Sequence, residues 1–341
     1  MKKIIFLTGL VLLLGIVFVL YRAPSKTTER GYESGSQYIG EKYDYTDIVT
    51  VKWGSGSGEI GKKVHKDGSF TIGIPTNIEV DSERQRIYLS DIVNNKIEVL
   101  NYSGKHLLSF PVDIVPDIMK LDANGYIYIH ISDTSGTKIR RYNFSGKCIN
   151  RYNFAPEVFD KYEYTSLSEI KGSKMILQSN IAGKRWDVDI ESGIIKSGIR
   201  GGDGYYVSYK DLNLRDRRAK IMEDLGDKYI VMIEDERGGI LNKFPLIAGE
   251  HNPSVLGFDK NSSVYVLQQD IVPTLGQVRL IVTKYNKYGK LAATINLRSD
   301  YERTGLGGTF HNLLDVNYEG LIFQMINKDD GLHVLKWELV K

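Results

Sequence analysis

The sequence predicts an all-β, six-bladed β-propeller preceded by one N-terminal transmembrane helix. Three observations carry this expectation. Glycine-centred hairpin turns recur at Gly104, Gly146, Gly193 and Gly289, with intervals of 42, 47 and 96 residues, the last being two units. A proline followed six residues later by an aspartate recurs at Pro75/Asp81, Pro116/Asp122 and Pro253/Asp259, with His311 and Asn317 standing in a fourth copy. An uncharged apolar run of 18 residues opens the chain, from Ile4 to Tyr21. A period of about 40–50 residues is the length of one four-stranded blade.

The apolar run comes first in the chain. At ~1.5 Å per residue it spans about 27 Å, close to the thickness of a bilayer core. Val19-Leu20-Tyr21-Arg22 is bulky where a signal-peptide cleavage site needs small residues, and Pro24 follows Ala23. Residues 1–22 therefore read as an uncleaved signal anchor. Lys2 and Lys3 place the N-terminus in the cytoplasm and the rest outside it, a single-pass protein of the cell membrane. Residues 23–46, rich in Ser, Thr and Gly without apolar periodicity, read as a polar tether. The propeller is expected over 47–341.

Blade one can be read strand by strand. Thr76–Val80 is the first strand, Arg86–Ser90 the second, Lys96–Asn101 the third and His106–Phe110 the fourth. Turns fall at Asp81–Gln85, Asn94-Asn95 and Ser103-Gly104. In the third strand Ile97 and Val99 alternate with Lys96 and Glu98, the period of a sheet with two distinct faces. Further second strands are expected at Ile127-Tyr128-Ile129, Met175-Ile176-Leu177, Tyr229-Ile230-Val231, Val264-Tyr265-Val266 and Leu321-Ile322-Phe323, which makes six with blade one. Gly239 falls near the hairpin turn missing between Gly193 and Gly289. After Asn317 there is room for only two more strands, so Asp47–Trp53 is expected to supply the outer strand of the last blade and close the ring.

The stretch Pro75–Phe110, with Ile87-Tyr88-Leu89-Ser90-Asp91, Asn94-Asn95-Lys96-Ile97 and Ser103-Gly104-Lys105, resembles an NHL repeat. Blade two resembles it less closely. The resemblance implies a six-bladed ring across most of 47–341. It implies no ligand, because such propellers include scaffolds, sensors and a few enzymes.

Composition narrows the function classes. With 45 basic and 42 acidic residues the net charge is +3, too small a field for nucleic acid. Cys148 is the only cysteine, which rules out an intrachain disulfide and a cysteine-rich zinc site. Gly56-Ser57-Gly58-Glu59-Ile60-Gly61 fits G-x-G-x-x-G, but the residues after it, with Gly68, Gly73 and Pro75, do not begin the helix that a dinucleotide site needs. Glu234-Asp235-Glu236 reads as a solvated hairpin tip, and Asp211–Asp224 as a short helix or long hairpin on a rim. Trp53, Trp186 and Trp337 read as packing residues.

Radial blades bring the starts of their innermost strands together around a central channel. That places Asn77, Asp117, Asn252, His311 and Asn312 at one mouth, as candidate ligand-binding residues. Such a ring of Asn, Asp and His can hold Ca2+ or another divalent cation through oxygens, or serve as a water-filled lining. Two functional classes follow. One is an extracytoplasmic binding or scaffold module for a protein, peptide or cell-envelope ligand. The other is a metal-assisted hydrolase or lyase at the channel mouth, which would need a convergent acid, base and ligand set. No acid/base pair stands at diagnostic spacing, and the binding reading is preferred.

Overall fold

The computed structural model describes residues 40–64, 71–159, 165–179, 184–200, 217–224, 228–235, 239–246, 251–272, 277–298 and 313–340. The expected anchor at 1–22, and the tether up to residue 39, lie outside these residues. Among the described residues no helix is long and apolar enough to cross a membrane.

Among the described residues, six antiparallel sheets of three or four strands each form one blade, and a seventh is a two-stranded hairpin. Strand β1 (Tyr43–Val51) is followed by the small hairpin of β2 (Lys63–Val64) and β3 (Thr71–Gly73). Blade one is β4 (Ile78–Asp81), β5 (Arg86–Asp91), β6 (Lys96–Asn101) and β7 (His106–Pro111). Blade two is β8 (Ile118–Leu121), β9 (Ile127–Asp133), β10 (Gly136–Tyr142) and β11 (Cys148–Phe154). Blade three is β12 (Thr165–Lys171), β13 (Lys174–Ser179), β14 (Lys184–Asp189) and β15 (Ile195–Arg200). Blade four has three described strands, β16 (Arg217–Asp224), β17 (Lys228–Asp235) and β18 (Ile240–Pro245). Blade five is β19 (His251–Phe258), β20 (Val264–Val272), β21 (Gln277–Tyr285) and β22 (Leu291–Asn296). Blade six is β23 (Leu314–Val316), β24 (Ile322–Lys328) and β25 (Gly331–Leu339), with β1 as its outer strand.

The inner strands β19, β23, β4, β8 and β12 are neighbours in turn, and β16 of blade four lies against β19. Apolar clusters fill the seams between blades. Ile97, Val99 and Tyr88 meet Met119, Ile127 and Ile129 between blades one and two. Equivalent clusters join blades two and three, four and five, five and six, and six and one. Tyr88, Tyr128, Tyr265 and Phe323 stand at the same register of their second strands and are fully buried. Aromatic side chains at one level in four blades make a repeated packing layer.

The aspartate landmark has a structural cause. Asp122 Oδ1 accepts the Asn124 and Tyr126 N–H groups, Asp259 Oδ1 accepts those of Asn261 and Ser263, and Asn317 Oδ1 accepts that of Leu321. Each carboxylate or amide closes the turn into the second strand, an Asx arrangement. The hairpin glycines adopt the left-handed region at Gly104, Gly146, Gly193 and Gly289 (φ between 68° and 81°).

Several expectations shift. The closing strand runs Tyr43–Val51, so it begins inside the expected tether and ends before Trp53, which bridges to Ile60 instead. The sixth second strand starts at Ile322, not Leu321. Gly239, by contrast, falls where expected, in the turn between β17 and β18: the Asp235 N–H donates to the Gly239 carbonyl and Asp235 Oδ1 accepts the Gly239 N–H, the pairing that Asn101 and Lys105 make in the third-to-fourth-strand hairpin of blade one. Residues Arg217–Asp224 form strand β16 of blade four, paired with β17, where a short helix or long hairpin on a rim was expected; 211–216 lie outside the described residues. Glu234 is buried and pairs with Lys220, so it is no solvated hairpin tip.

Candidate functional site

Antiparallel pairing puts the starts of the inner strands and the ends of the second strands on one face of the ring. Asn77 lies on this face just ahead of β4. Its N–H donates to Ser90 Oγ at 3.0 Å, and its carbonyl accepts the Ser90 N–H at 3.1 Å. Its side-chain amide is 1% exposed, with neither Oδ1 nor Nδ2 partnered. Asp117 lies just ahead of β8, and its carbonyl accepts Thr76 Oγ1 at 3.3 Å. The two expected residues are thus brought to adjoining strand starts. Asp117 is exposed, yet loss of hydration raises its carboxyl pKa above the usual value. Those two facts fit a carboxylate in a concave mouth, reached by water from one side and walled by protein on the others. Asn252 is the second residue of β19, at the start of the inner strand of blade five. His311 and Asn312 lie outside the described residues.

The same face holds polar groups that sequence reasoning missed. His130 is 1% exposed near the end of the second strand of blade two, with Nε2 3.3 Å from Thr165 Oγ1 of blade three. Thr165 Oγ1 is also 2.8 Å from Thr137 Oγ1, and the Thr165 N–H donates to Ser132 Oγ. His130 Nδ1 has no partner, and burial pushes the imidazole pKa down to about 3. Ser254 Oγ, at the start of the inner strand of blade five, and Asn327 Oδ1, at the end of the second strand of blade six, are likewise buried and unpartnered. The available signal was a lone polar residue in an apolar run: His130 interrupts Ile127-Tyr128-Ile129 and Ile131.

Deeper along the inner strands the polar groups are paired. Lys120 Nζ reaches Glu79 Oε1 at 3.4 Å between β8 and β4. Asp315 Oδ2 of β23 accepts the Val80 N–H of β4 at 2.7 Å. Unpartnered buried atoms are not confined to the mouth end: Tyr88 Oη and Arg141 Nε are also buried without a hydrogen-bond partner. Among the described residues no group of three or more His, Cys, Asp and Glu is placed to hold a metal ion.

The Gly56–Gly61 loop is bound to blade one. Lys96 Nζ donates to the carbonyls of Gly56 (2.5 Å) and Glu59 (2.8 Å) and pairs with Glu98 at 2.7 Å. The Gly61 N–H donates to Asp91 Oδ2, and Asn94 Nδ2 to the Gly54 carbonyl. The loop leads into the two-residue strand β2 and begins no helix. It is a structural strap from β1 to blade one. Trp186 and Trp337 are buried in seams, as expected of packing residues.

No family model matches the chain, and no curated protein matches it in sequence. Similar solved structures include a member of the DUF4221 family from Bacteroides vulgatus (15% identity, 89% of this chain and 98% of that one, TM-score 0.49). Another is Kuenenia stuttgartiensis hydrazine synthase (11% identity, 73% and 72%, TM-score 0.48). A third is catalytically inactive virginiamycin B lyase from Staphylococcus aureus with quinupristin (13% identity, 88% and 100%, TM-score 0.46). These likenesses are distant, and the six-bladed architecture rests on the strand pairing of the chain itself.

Proposed function

We propose that the protein is an extracytoplasmic, membrane-anchored binding module of NHL-repeat type. It takes a polar protein, peptide or cell-envelope ligand at the channel mouth. The observation that carries this is the set of buried, unpartnered polar atoms on the mouth face: the Asn77 amide, Ser254 Oγ, His130 Nδ1 and Asn327 Oδ1. A buried donor or acceptor left unmade costs about 1–3 kcal/mol, so such groups call for a water or ligand partner. Asp117 adds an accessible carboxyl at the rim of the same mouth. The apolar run Ile4–Tyr21 supports the anchor, and the repeat at Pro75–Phe110 supports the NHL reading.

The test measures binding of soluble cell-wall fragments and of a peptide library to the protein, with and without Ca2+, by calorimetry. Asp117→Ala and Asn77→Ala are expected to weaken the strongest binder at least about tenfold, the worth of one charged or buried hydrogen bond. Unchanged affinity in folded variants would move the site off the mouth. Recovery of full-length protein in the soluble fraction after cell lysis would remove the anchor.

A further inference from the structure

A second feature lies at the ring closure and rests on none of the mouth residues. We propose that His333 is a proton-operated latch that holds the N-terminal strand β1 in blade six. His333 sits in β25 opposite Thr50 of β1. Its Nδ1 is 2.5 Å from Asp47 Oδ2 of β1 and 3.3 Å from Thr50 Oγ1. Its Nε2 is 2.9 Å from Asp330 Oδ1 in the turn between β24 and β25.

The chemistry of the ring makes this arrangement switchable. A neutral imidazole carries one N–H, so it can donate to only one of the two carboxylates. The other carboxylate would then face a nitrogen lone pair. Imidazolium carries two N–H groups and donates to both, linking the N-terminal strand to the C-terminal hairpin through one side chain. His333 is 9% exposed, while Asp47 and Asp330 are 39% and 68% exposed. The cation is therefore desolvated and the acids stay wet. Burial opposes protonation, but the two carboxylates outweigh it, and the His333 pKa is raised above its ordinary value. The Asp330 carboxyl is lowered by the same contact.

On β24 the residue paired with His333 is Ile326. Lys328 acts on Asp330 from the end of β24, and Asp329 pairs with Lys62 of the strap at 3.8 Å. The latch contribution is complete below the unfolded value near 6.5 and is lost as pH rises through the raised folded value. β1 is also the strand that leads back to the N-terminal segment, so proton concentration controls how firmly that end of the chain is held.

The experiment follows amide exchange of residues 43–51 in the full chain between pH 5.5 and 8.5, corrected for intrinsic exchange. Protection of β1 is expected to fall with rising pH, by roughly tenfold for each pH unit by which the folded value exceeds 6.5. His333→Gln should make that protection independent of pH, and Asp330→Asn should shrink the change. A flat wild-type profile, or the same slope in His333→Gln, overturns the latch. The His333 ring nitrogens, followed by NMR in the wild-type chain, give a second reading that needs no variant: titration at or below 6.5 overturns it equally.

Discussion

Two buried histidines act in opposite directions on stability, which makes the acid limb informative. The His130 ring is pushed down to about 3 from 6.5 by burial beside Thr165, with no charge to help it. Between those values the unfolded chain takes a proton that the folded chain refuses. Its contribution is present above 6.5 and is lost as pH falls towards 3, at about 1.4 kcal/mol per pH unit. Urea denaturation should therefore show the wild type losing about 2–3 kcal/mol more than His130→Gln between pH 6.5 and 4.5. Equal slopes would mean that the folded protein protonates His130. His333, between Asp47 and Asp330, has the reverse sign, so His333→Gln should cost more stability at pH 5.5 than at 8.5 in the same measurement. At this scale the sequence was only partly readable. Asn77 and Asp117 were found because they sit beside Pro75 and Pro116. His130, Ser254 and Asn327 were not, because a side chain's lack of a partner depends on the neighbouring blade.

Turns were the most legible elements because their chemistry is local. Asn101 Oδ1 accepts the Ser103 and Lys105 N–H groups, and Gly104 supplies φ +81°. Gly104 also carries a long-range constraint: an added Cβ would lie 2.2 Å from the Ile48 carbonyl oxygen of β1. Gly172, at φ +55°, would meet nothing within 4 Å. Gly172→Ala should cost about 1–2 kcal/mol, the left-handed penalty alone. Gly104→Ala should cost clearly more, about 3 kcal/mol or above, because the clash falls on closure-strand backbone. Chemical denaturation of the two variants checks the difference, and equal losses would mean that β1 yields freely. Blade four was the least legible element. Its strand β16 carries Arg217, Arg218 and Lys220, and no proline and aspartate landmark stands ahead of it. The Lys220–Glu234 pair puts charges where the strand pattern leads one to expect apolar residues. Its strand β18 leaves Ile240 and Leu241 exposed and buries Phe244, the pattern of the outer strand β7 of blade one, where Leu107 is exposed and Phe110 buried.

The ring as a whole depends on a strand borrowed from the opposite end of the chain. β1 pairs antiparallel with β25 from Tyr43↔Leu339 to Val51↔Leu332. A missing outer strand at one end and a spare strand at the other made this closure readable in advance, although its bounds moved by several residues. The alternation of Tyr43, Tyr45, Asp47 and Val49 is broken by a bulge between Asp47 and Val49, and polar positions mask the start of the strand. β1 serves two seams at once. Ile48, Val49 and Val51 pack between blades six and one, and Tyr43 and Tyr45 between blades five and six. Tyr45 stacks on Trp337 at 4.8 Å, and Lys284 of blade five pairs with Glu41 just ahead of the strand. Removing β1 would expose a row of unpaired edge groups and uncover both clusters. The loss is on the order of 5 kcal/mol or more, comparable with the net stability of a whole domain. A protein beginning at Gly40 should therefore melt in one cooperative transition, and one beginning at Gly54 should lose that transition or melt far lower. A synthetic peptide covering residues 42–52, added in trans, should bind the open edge and raise the transition as its concentration increases, by about 2.7 kcal/mol at a hundredfold excess over its dissociation constant. If the shorter protein melts at the temperature of the longer one, the ring is held by its seams alone and the borrowed strand is dispensable.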